Sequence, residues 1–168
     1  MKRILLLIII LTAAAVCFAQ NEPVVGFWLS VDDSTNQVTA GWQVYIQNGK
    51  LYGKILSLAN QPIGTIATPC RERYDGFPLS GRVNTMQVAG PPWIFGLSKQ
   101  RNGEWSGGKI INPEDGGIYN CKIIFRKSDG RRYQTDTLEV RGEIGFGLGR
   151  SQYWRKTDEA TARNLWPN

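Results

Sequence analysis

The chain has 168 residues, of which 20 are Lys or Arg, 14 are Asp or Glu and none is His. Because histidine is missing, the sequence excludes Ser-His and Cys-His nucleophilic sites and lacks the commonest zinc ligand. Six Trp, six Tyr and six Phe supply enough aromatic surface for a largely apolar interior.

The first 19 residues have the pattern of a secretory signal peptide. Lys2 and Arg3 precede an apolar run from Ile4 to Leu11, and small residues then lead to Ala19. Signal peptides have, in this order, a short positive segment, an apolar core and a cleavage site of small residues. We therefore predict cleavage after Ala19 and export of the mature chain, either to the periplasm or out of the cell.

Two other fates of this segment remain open. The apolar run could be retained as an anchor, although a spanning helix needs about 20 apolar residues. Lipidation at Cys17 would instead tether the protein to a membrane. Cleavage leaves residues 20–168 as a single domain with a net charge of +4, since 18 basic residues remain against 14 acidic ones. Export argues against a nucleic-acid partner, and the basic clusters are best explained as solvated loop tips.

Short alternating runs between turn residues predict an all-β domain. Residues 26–30 form a first short strand. From Val38 to Ile46, apolar and polar side chains alternate, so one face is buried. Asn48-Gly49 suits a two-residue type I′ turn, and a third strand returns over residues 50–58.

Three prolines, two glycines and no sustained period mark residues 59–80 as a long connection. Such connections are often functional or mobile, so this one is the candidate lid over one end of the fold. A strand through Val83 and Met86 is expected next. Further strands are predicted at about 93–97, 105–111, 118–125, 137–142 and 150–156, followed by a short helix within residues 158–165. Eight to nine strands are enough to close a small barrel.

The glycines inside the predicted strands are explained by the backbone conformation that a barrel requires. Gly107-Gly108 and Gly142 indicate bulges or bends, where a barrel strand coils tightly. They do not form a phosphate-binding loop, because no helix follows them.

Several motifs are spaced over almost the whole predicted mature chain. They are Gly26-Phe27-Trp28, Gly53-Lys54-Ile55, the run from Trp105 to Pro113 with Gly116 and Tyr119, and residues 138–142 leading to residues 149–155. This ordered set resembles a bacterial envelope family known only as domain of unknown function 2147 (DUF2147). The resemblance implies an exported, small antiparallel lipocalin-like or calycin-like barrel, and it supplies no established reaction or ligand.

The resemblance also implies how one end of the barrel is closed. In lipocalin-like barrels, a Gly-x-Trp on the first strand packs its indole across the closed end, and an arginine from the last strand covers the ring. In this chain Gly26 and Trp28 would take the first role, with Arg155 or Arg150 as the cation. Such a cation–π contact contributes about 0.5–2 kcal/mol.

Cys70 and Cys121 are the two cysteines that remain after cleavage. An oxidising compartment would favour a disulfide between them. Two separate buried thiols are the alternative, because the sequence does not give the distance between them.

The last strand carries the candidate ligand-binding residues. Arg150, Gln152 and Trp154 share one face, and with Tyr119 they would orient a ligand if that face points into the barrel. If it points outward, they are ordinary surface residues.

Three functions are compatible with these features. The leading hypothesis is a non-enzymatic envelope protein that binds a small hydrophobic or amphipathic molecule in the barrel. The second is a structural or interaction module whose barrel is filled by its own side chains. The third is a carboxylate-dependent hydrolase using Asp115 with Glu143 or Glu114, although these acids lie at predicted turns and are better explained as solvated turn residues. Nothing in the sequence indicates a cofactor or a metal site.

Overall fold

The computed structural model describes residues 22–145 and 147–167. Eight antiparallel strands form a closed barrel in chain order, which confirms the prediction of a small all-β barrel. The strands are β1 (Gly26–Val31), β2 (Val38–Gln47), β3 (Lys50–Leu58), β4 (Ile94–Arg101), β5 (Glu104–Ile111), β6 (Ile118–Arg126), β7 (Thr137–Gly145) and β8 (Leu148–Thr157). The predicted signal peptide, its cleavage after Ala19 and the alternative at Cys17 lie outside the described residues.

The β2–β3 hairpin forms as its sequence predicts. Gln47 pairs with Lys50, and Asn48 and Gly49 occupy the turn with φ angles of 50° and 72°. Both central residues of a type I′ turn need positive φ, which Asn and Gly tolerate best. Local turn chemistry therefore fixes the register of β2 against β3.

Trp28 closes one end of the barrel, but the cation over its ring is Lys156. The Lys156 Nζ lies 4.3 Å from the centre of the ring. Trp28 and Lys156 are directly paired across β1 and β8, so their side chains share a face, whereas Arg155 points to the other face. Arg155 reaches Asn36 and Arg150 pairs with Asp33, so the expectation that either arginine covers Trp28 is wrong.

Gly26 makes room for this contact. A Cβ atom at Gly26 would lie 2.5 Å from the Lys156 Nζ, and the φ angle of Gly26 is +133°. The indole N–H of Trp28 donates to the carbonyl of Val24 at 3.0 Å. The Gly-x-Trp motif therefore closes the barrel together with the segment that precedes β1.

Residues 59–93 form an ordered connection between β3 and β4. The expected strand through Val83 and Met86 is instead a 3₁₀ turn over Val83–Thr85, because the amide of Met86 bonds locally to the carbonyl of Val83. The connection buries side chains of its own, namely Ala67, Cys70, Tyr74, Val83, Val88 and Trp93. These residues join the main core and hold the connection against the barrel.

The predicted terminal helix is present as α1 (Glu159–Arg163). The Asp158 side chain caps it by accepting from the amide of Thr161 at 2.8 Å. The helix packs on the outside of the barrel, where the Ser57 hydroxyl donates to the carbonyl of Ala162 at 2.7 Å. No helix in the described part of the chain has the length and hydropathy needed to cross a membrane.

Cys70 and Cys121 are separate buried thiols, so of the two alternatives left open by the sequence the structure shows the unpaired one. Cys121 lies on β6 between the outward side chains of Asn120 and Lys122, and therefore faces the barrel interior. Cys70 lies in the connection, where its Sγ is 4.0 Å from the carbonyl oxygen of Pro113. Burial raises the pKa of both thiols, which makes them poor nucleophiles.

Candidate functional site

The barrel contains a cavity of about 580 Å³ at the end opposite Trp28. It lies between the ends of the strands that lead into the β1–β2, β5–β6 and β7–β8 turns. Its walls are largely apolar and include Ala40, Ile55, Leu58, Ile110 and Val140. Volumes of about 300–1,000 Å³ with apolar walls are typical of small-molecule sites.

Two stacked indoles form the floor of the cavity. The rings of Trp42 and Trp154 have centroids 4.5 Å apart and an interplanar angle of 29°. The Trp42 N–H donates to the Ser30 hydroxyl at 3.1 Å, and the Trp154 N–H donates to the Gln152 side-chain carbonyl at 3.2 Å. Because both indole N–H groups are satisfied internally, the floor presents aromatic carbon to the cavity.

The structure brings the four predicted ligand-binding residues together around this cavity. Tyr119, Arg150, Gln152 and Trp154 all line it, so this face of β8 points into the barrel. Arg150 lies at the rim, where its guanidinium pairs with Asp33 at 3.0 Å. The Gln152 side chain accepts a hydrogen bond from the indole N–H of Trp154 and so helps to position the floor of the cavity. Their role in binding remains a prediction.

Gly142 leaves part of the cavity open. It pairs regularly with Cys121 and Arg150, so the bulge or bend that the sequence indicated at this position is not present. Gly107, in contrast, lies at a register shift between β5 and β6. A Cβ at Gly142 would meet Tyr119 at 3.4 Å, an ordinary contact. The glycine therefore gives space to the cavity and does not relieve backbone strain.

Two apolar side chains at the mouth are unusually exposed. Ile144 and Leu148 flank the β7–β8 turn and line the cavity, with exposed fractions of 74% and 64%. Sequence reasoning missed them because the turn interrupts the alternation of the two strands. An apolar molecule that entered the cavity would cover them.

The mouth also carries acidic side chains. Asp32, Glu114 and Asp115 line the cavity. Hydroxyl and amide donors of Ser34 and Thr35 hold the pKa of Asp32 down to about 2. Asp32 lies in the β1–β2 turn, and Glu114 and Asp115 lie in the β5–β6 turn, as the sequence predicted for the last two.

The acids nominated for hydrolysis have structural partners. Asp115 accepts from the amide of Gly117 at 2.7 Å and from the side chain of Asn112 at 2.9 Å. Glu143 pairs with Arg141 at 2.6 Å and does not line the cavity. Within residues 22–145 and 147–167, no three potential metal ligands are grouped closely enough to hold an ion.

The long connection supports the rim of the cavity and does not cover it. None of residues 59–80 lines the cavity, and Val88 is the contribution of the connection to the wall. The Tyr74 hydroxyl donates to the carbonyl of Gly116 at 2.8 Å, and the Gln61 amide donates to Glu114 at 3.3 Å. These contacts attach the connection to the β5–β6 turn. The segment that was predicted to be a lid therefore packs beside the rim of the cavity in this structure.

Comparisons with known proteins agree with this architecture. A solved structure described as protein HP1028 from the human pathogen Helicobacter pylori, which belongs to the lipocalin family, is similar with a TM-score of 0.64 at 17% identity. The match covers 84% of this chain and 88% of that chain, and at this identity it shows the fold alone. No curated protein shows significant similarity to the chain.

A protein-family model matches most of the barrel. It is described as an uncharacterized protein conserved in bacteria (DUF2147) and matches residues 26–156. This range runs from the Gly-x-Trp motif on β1 to Lys156 on β8, so it includes both the closed end and the cavity. The chain therefore belongs to the DUF2147 family and folds as a lipocalin-like barrel.

Proposed function

We propose that the protein is a non-enzymatic binding protein that holds a small apolar or amphipathic molecule in the barrel cavity, and that it does so outside the cytoplasm. The observation that carries this proposal is the 580 Å³ cavity above the Trp42–Trp154 floor. Its apolar walls would gain free energy by excluding water, at about 25 cal/mol per Å² of apolar surface covered.

The exposed side chains at the mouth support the same function. Ile144 and Leu148 leave most of their surface in water and continue the apolar wall outward. A bound tail that reached the mouth would cover them. This arrangement favours a ligand over the alternative of a module whose barrel is filled by its own side chains.

The acids of the mouth support binding over hydrolysis. Glycoside hydrolysis needs two carboxylates on opposite sides of the scissile bond. Asp115 is held by Asn112 and Gly117, and Glu143 is held by Arg141 outside the cavity. The Asp115–Glu143 pair therefore does not face one bound molecule, and Glu114 lies next to Asp115 on the same turn, where it accepts from Gln61.

Enlarging Gly142 tests the cavity directly. The neutral fluorophore N-phenyl-1-naphthylamine brightens in apolar sites, so its titration into the purified protein reports occupancy. We expect saturable binding to the native chain and to Gly142→Ala, whose Cβ makes only ordinary contacts. Gly142→Leu places its side chain in the cavity, and we expect at least tenfold weaker binding.

Circular dichroism and thermal unfolding show whether both variants keep the barrel. If folded Gly142→Leu binds the fluorophore as tightly as Gly142→Ala does, the cavity is not the binding site. If the native chain neither binds the fluorophore nor carries a molecule that native mass spectrometry detects after purification from envelope, the proposed function is wrong.

Export has its own test. The intact mass of the protein recovered from cells identifies the N-terminus. We expect a chain beginning at Gln20. A mass that includes the first 19 residues would contradict cleavage, and an acylated chain beginning at Cys17 would place the barrel on a membrane.

A further inference from the structure

We infer that the cavity selects an amphiphile with a cationic head group over one with an anionic head group. This inference rests on the proposed function and names the class of ligand for the same cavity. It follows from the distribution of charge at the mouth, where the polar end of a ligand would lie.

Carboxylates outnumber cations among the side chains that line the cavity. Asp32, Glu114 and Asp115 are acidic, and Arg150 is the one basic side chain in the lining within the described residues. Arg150 is already engaged, because its guanidinium contacts Asp33 at 3.0 and 3.1 Å. Four acids and one base give the mouth, with Asp33 included, a net charge of −3.

The partners of the remaining acids are neutral. Donors from Ser34 and Thr35 surround Asp32, and the amide of Gln61 contacts Glu114. Hydrogen bonds of this kind hold a carboxylate in place but leave its charge uncompensated. Within the described residues none of these three acids is in an ion pair, and Arg155, which contacts Asn36 in the same turn as Asp32, does not line the cavity.

Basic side chains on neighbouring segments are directed elsewhere. Lys109 donates to Asn120 at 2.7 Å, and the Arg71 guanidinium lies 6.0 Å from the centre of the Tyr74 ring. Neither residue lines the cavity. A carboxylate or phosphate head group at the mouth would therefore lie next to acidic side chains, and no unengaged cation in the described part of the cavity lining would pair with it.

The apolar depth of the cavity fits the other end of such a molecule. Arg150 at the rim and Trp154 at the floor are four residues apart on β8, which corresponds to roughly 13 Å along a strand. A tail in this space would contact the two indoles, while its head group stayed among the acids. Tyr119 in the wall adds a ring whose face attracts cations.

Three probes with the same tail separate the head-group preference from binding itself. Dodecyltrimethylammonium, dodecanoate and dodecanol would each be used, below their aggregation limits and at low ionic strength, to displace N-phenyl-1-naphthylamine. One unit charge at ~7 Å in water changes binding about two- to threefold. We therefore expect the cationic probe to bind at least about tenfold tighter than dodecanoate, with dodecanol between them, and salt to reduce the difference.

Glu114→Gln tests whether the acids cause the preference, since it removes one charge from an exposed side chain. We expect it to lower the ratio of cation to anion affinity at least twofold. The control Glu159→Gln changes an acid on α1 that pairs with Arg163, and it should leave the ratio unchanged.

The outcomes are distinguishable. Equal affinities, tighter binding of dodecanoate, or an unchanged ratio in Glu114→Gln would overturn the head-group inference and leave the proposed function standing. If the fluorophore itself does not bind, the proposed function fails, and this inference fails with it.

Discussion

The contact between Lys156 and Trp28 provides a sharp test of how the barrel is closed. The ammonium lies 4.3 Å from the ring centre and also donates to the carbonyl of Val25 at 3.1 Å. Replacing Lys156 with Met keeps an unbranched side chain of similar length but removes the charge and the donor. The change therefore isolates the polar part of the interaction.

The expected loss of stability follows from these two contacts. A cation over an indole contributes about 0.5–2 kcal/mol, with the low end at exposed sites. A hydrogen bond contributes about 1 kcal/mol net. Because Lys156 is exposed, we expect Lys156→Met to lower the free energy of unfolding by about 1–2 kcal/mol. For a domain of this size, each kcal/mol lowers Tm by about 2–4 °C.

Urea unfolding followed by far-ultraviolet circular dichroism measures this difference. Lys54→Met is the matched control, because its ammonium lies 5.7 Å from the Tyr45 ring centre, a longer contact, and it should lose at most about 0.5 kcal/mol. A double-mutant cycle with Trp28→Leu, which removes the aromatic ring, separates the pairwise term from the loss of packing. The reasoning is refuted if Lys156→Met is as stable as the native chain, or if the cycle gives no coupling.

Three further predictions follow from the described residues. Gly41→Ala would place a Cβ 1.9 Å from the carbonyl oxygen of Ala162. Urea unfolding should therefore show that the free energy of unfolding falls by about 1–3 kcal/mol, and proteolysis should release the terminal helix. If the variant is unchanged, the helix does not dock there. Hydrogen bonds lower the pKa of Asp32 from 3.8 to about 2, so the stabilisation by its charged form is complete above pH 3.8 and lost as pH falls through 2. The stability advantage of the native chain over Asp32→Asn should vanish over that range in acid unfolding, and a constant difference would contradict the assignment. A thiol reagent should label Cys70 and Cys121 only after the protein is unfolded, and the intact mass of the unlabelled protein should correspond to two free thiols. Rapid labelling of the folded protein, or a disulfide, would contradict their placement.

Features governed by local chemistry could be predicted from the sequence. Asn48-Gly49 specified a two-residue turn because only a few residues accept positive φ. The alternation that begins at Val38 placed Trp42 on the buried face. Asp158 is a favoured helix N-cap, and α1 begins directly after it. In each case, the information lies within a few neighbouring residues.

Features that depend on pairing between distant strands could not be predicted. The choice between Arg155 and Lys156 as the cation over Trp28 depends on the register of β8 against β1. A shift of one residue exchanges the two faces of a strand. The sequence likewise showed that Gly142 is unusual, but only its neighbours across the barrel, Tyr119 and Ile110, show that it leaves space in a cavity.

The two ends of the barrel separate the residues that support the fold from the residues of the proposed binding site. Trp28 and Lys156 hold the closed end, whereas Gly142 and the acids of the mouth belong to the open end. Substitutions at distant sites without shared partners are usually additive in free energy. Lys156→Met should therefore weaken the fold without changing the head-group preference, and Glu114→Gln should change the preference with little effect on unfolding.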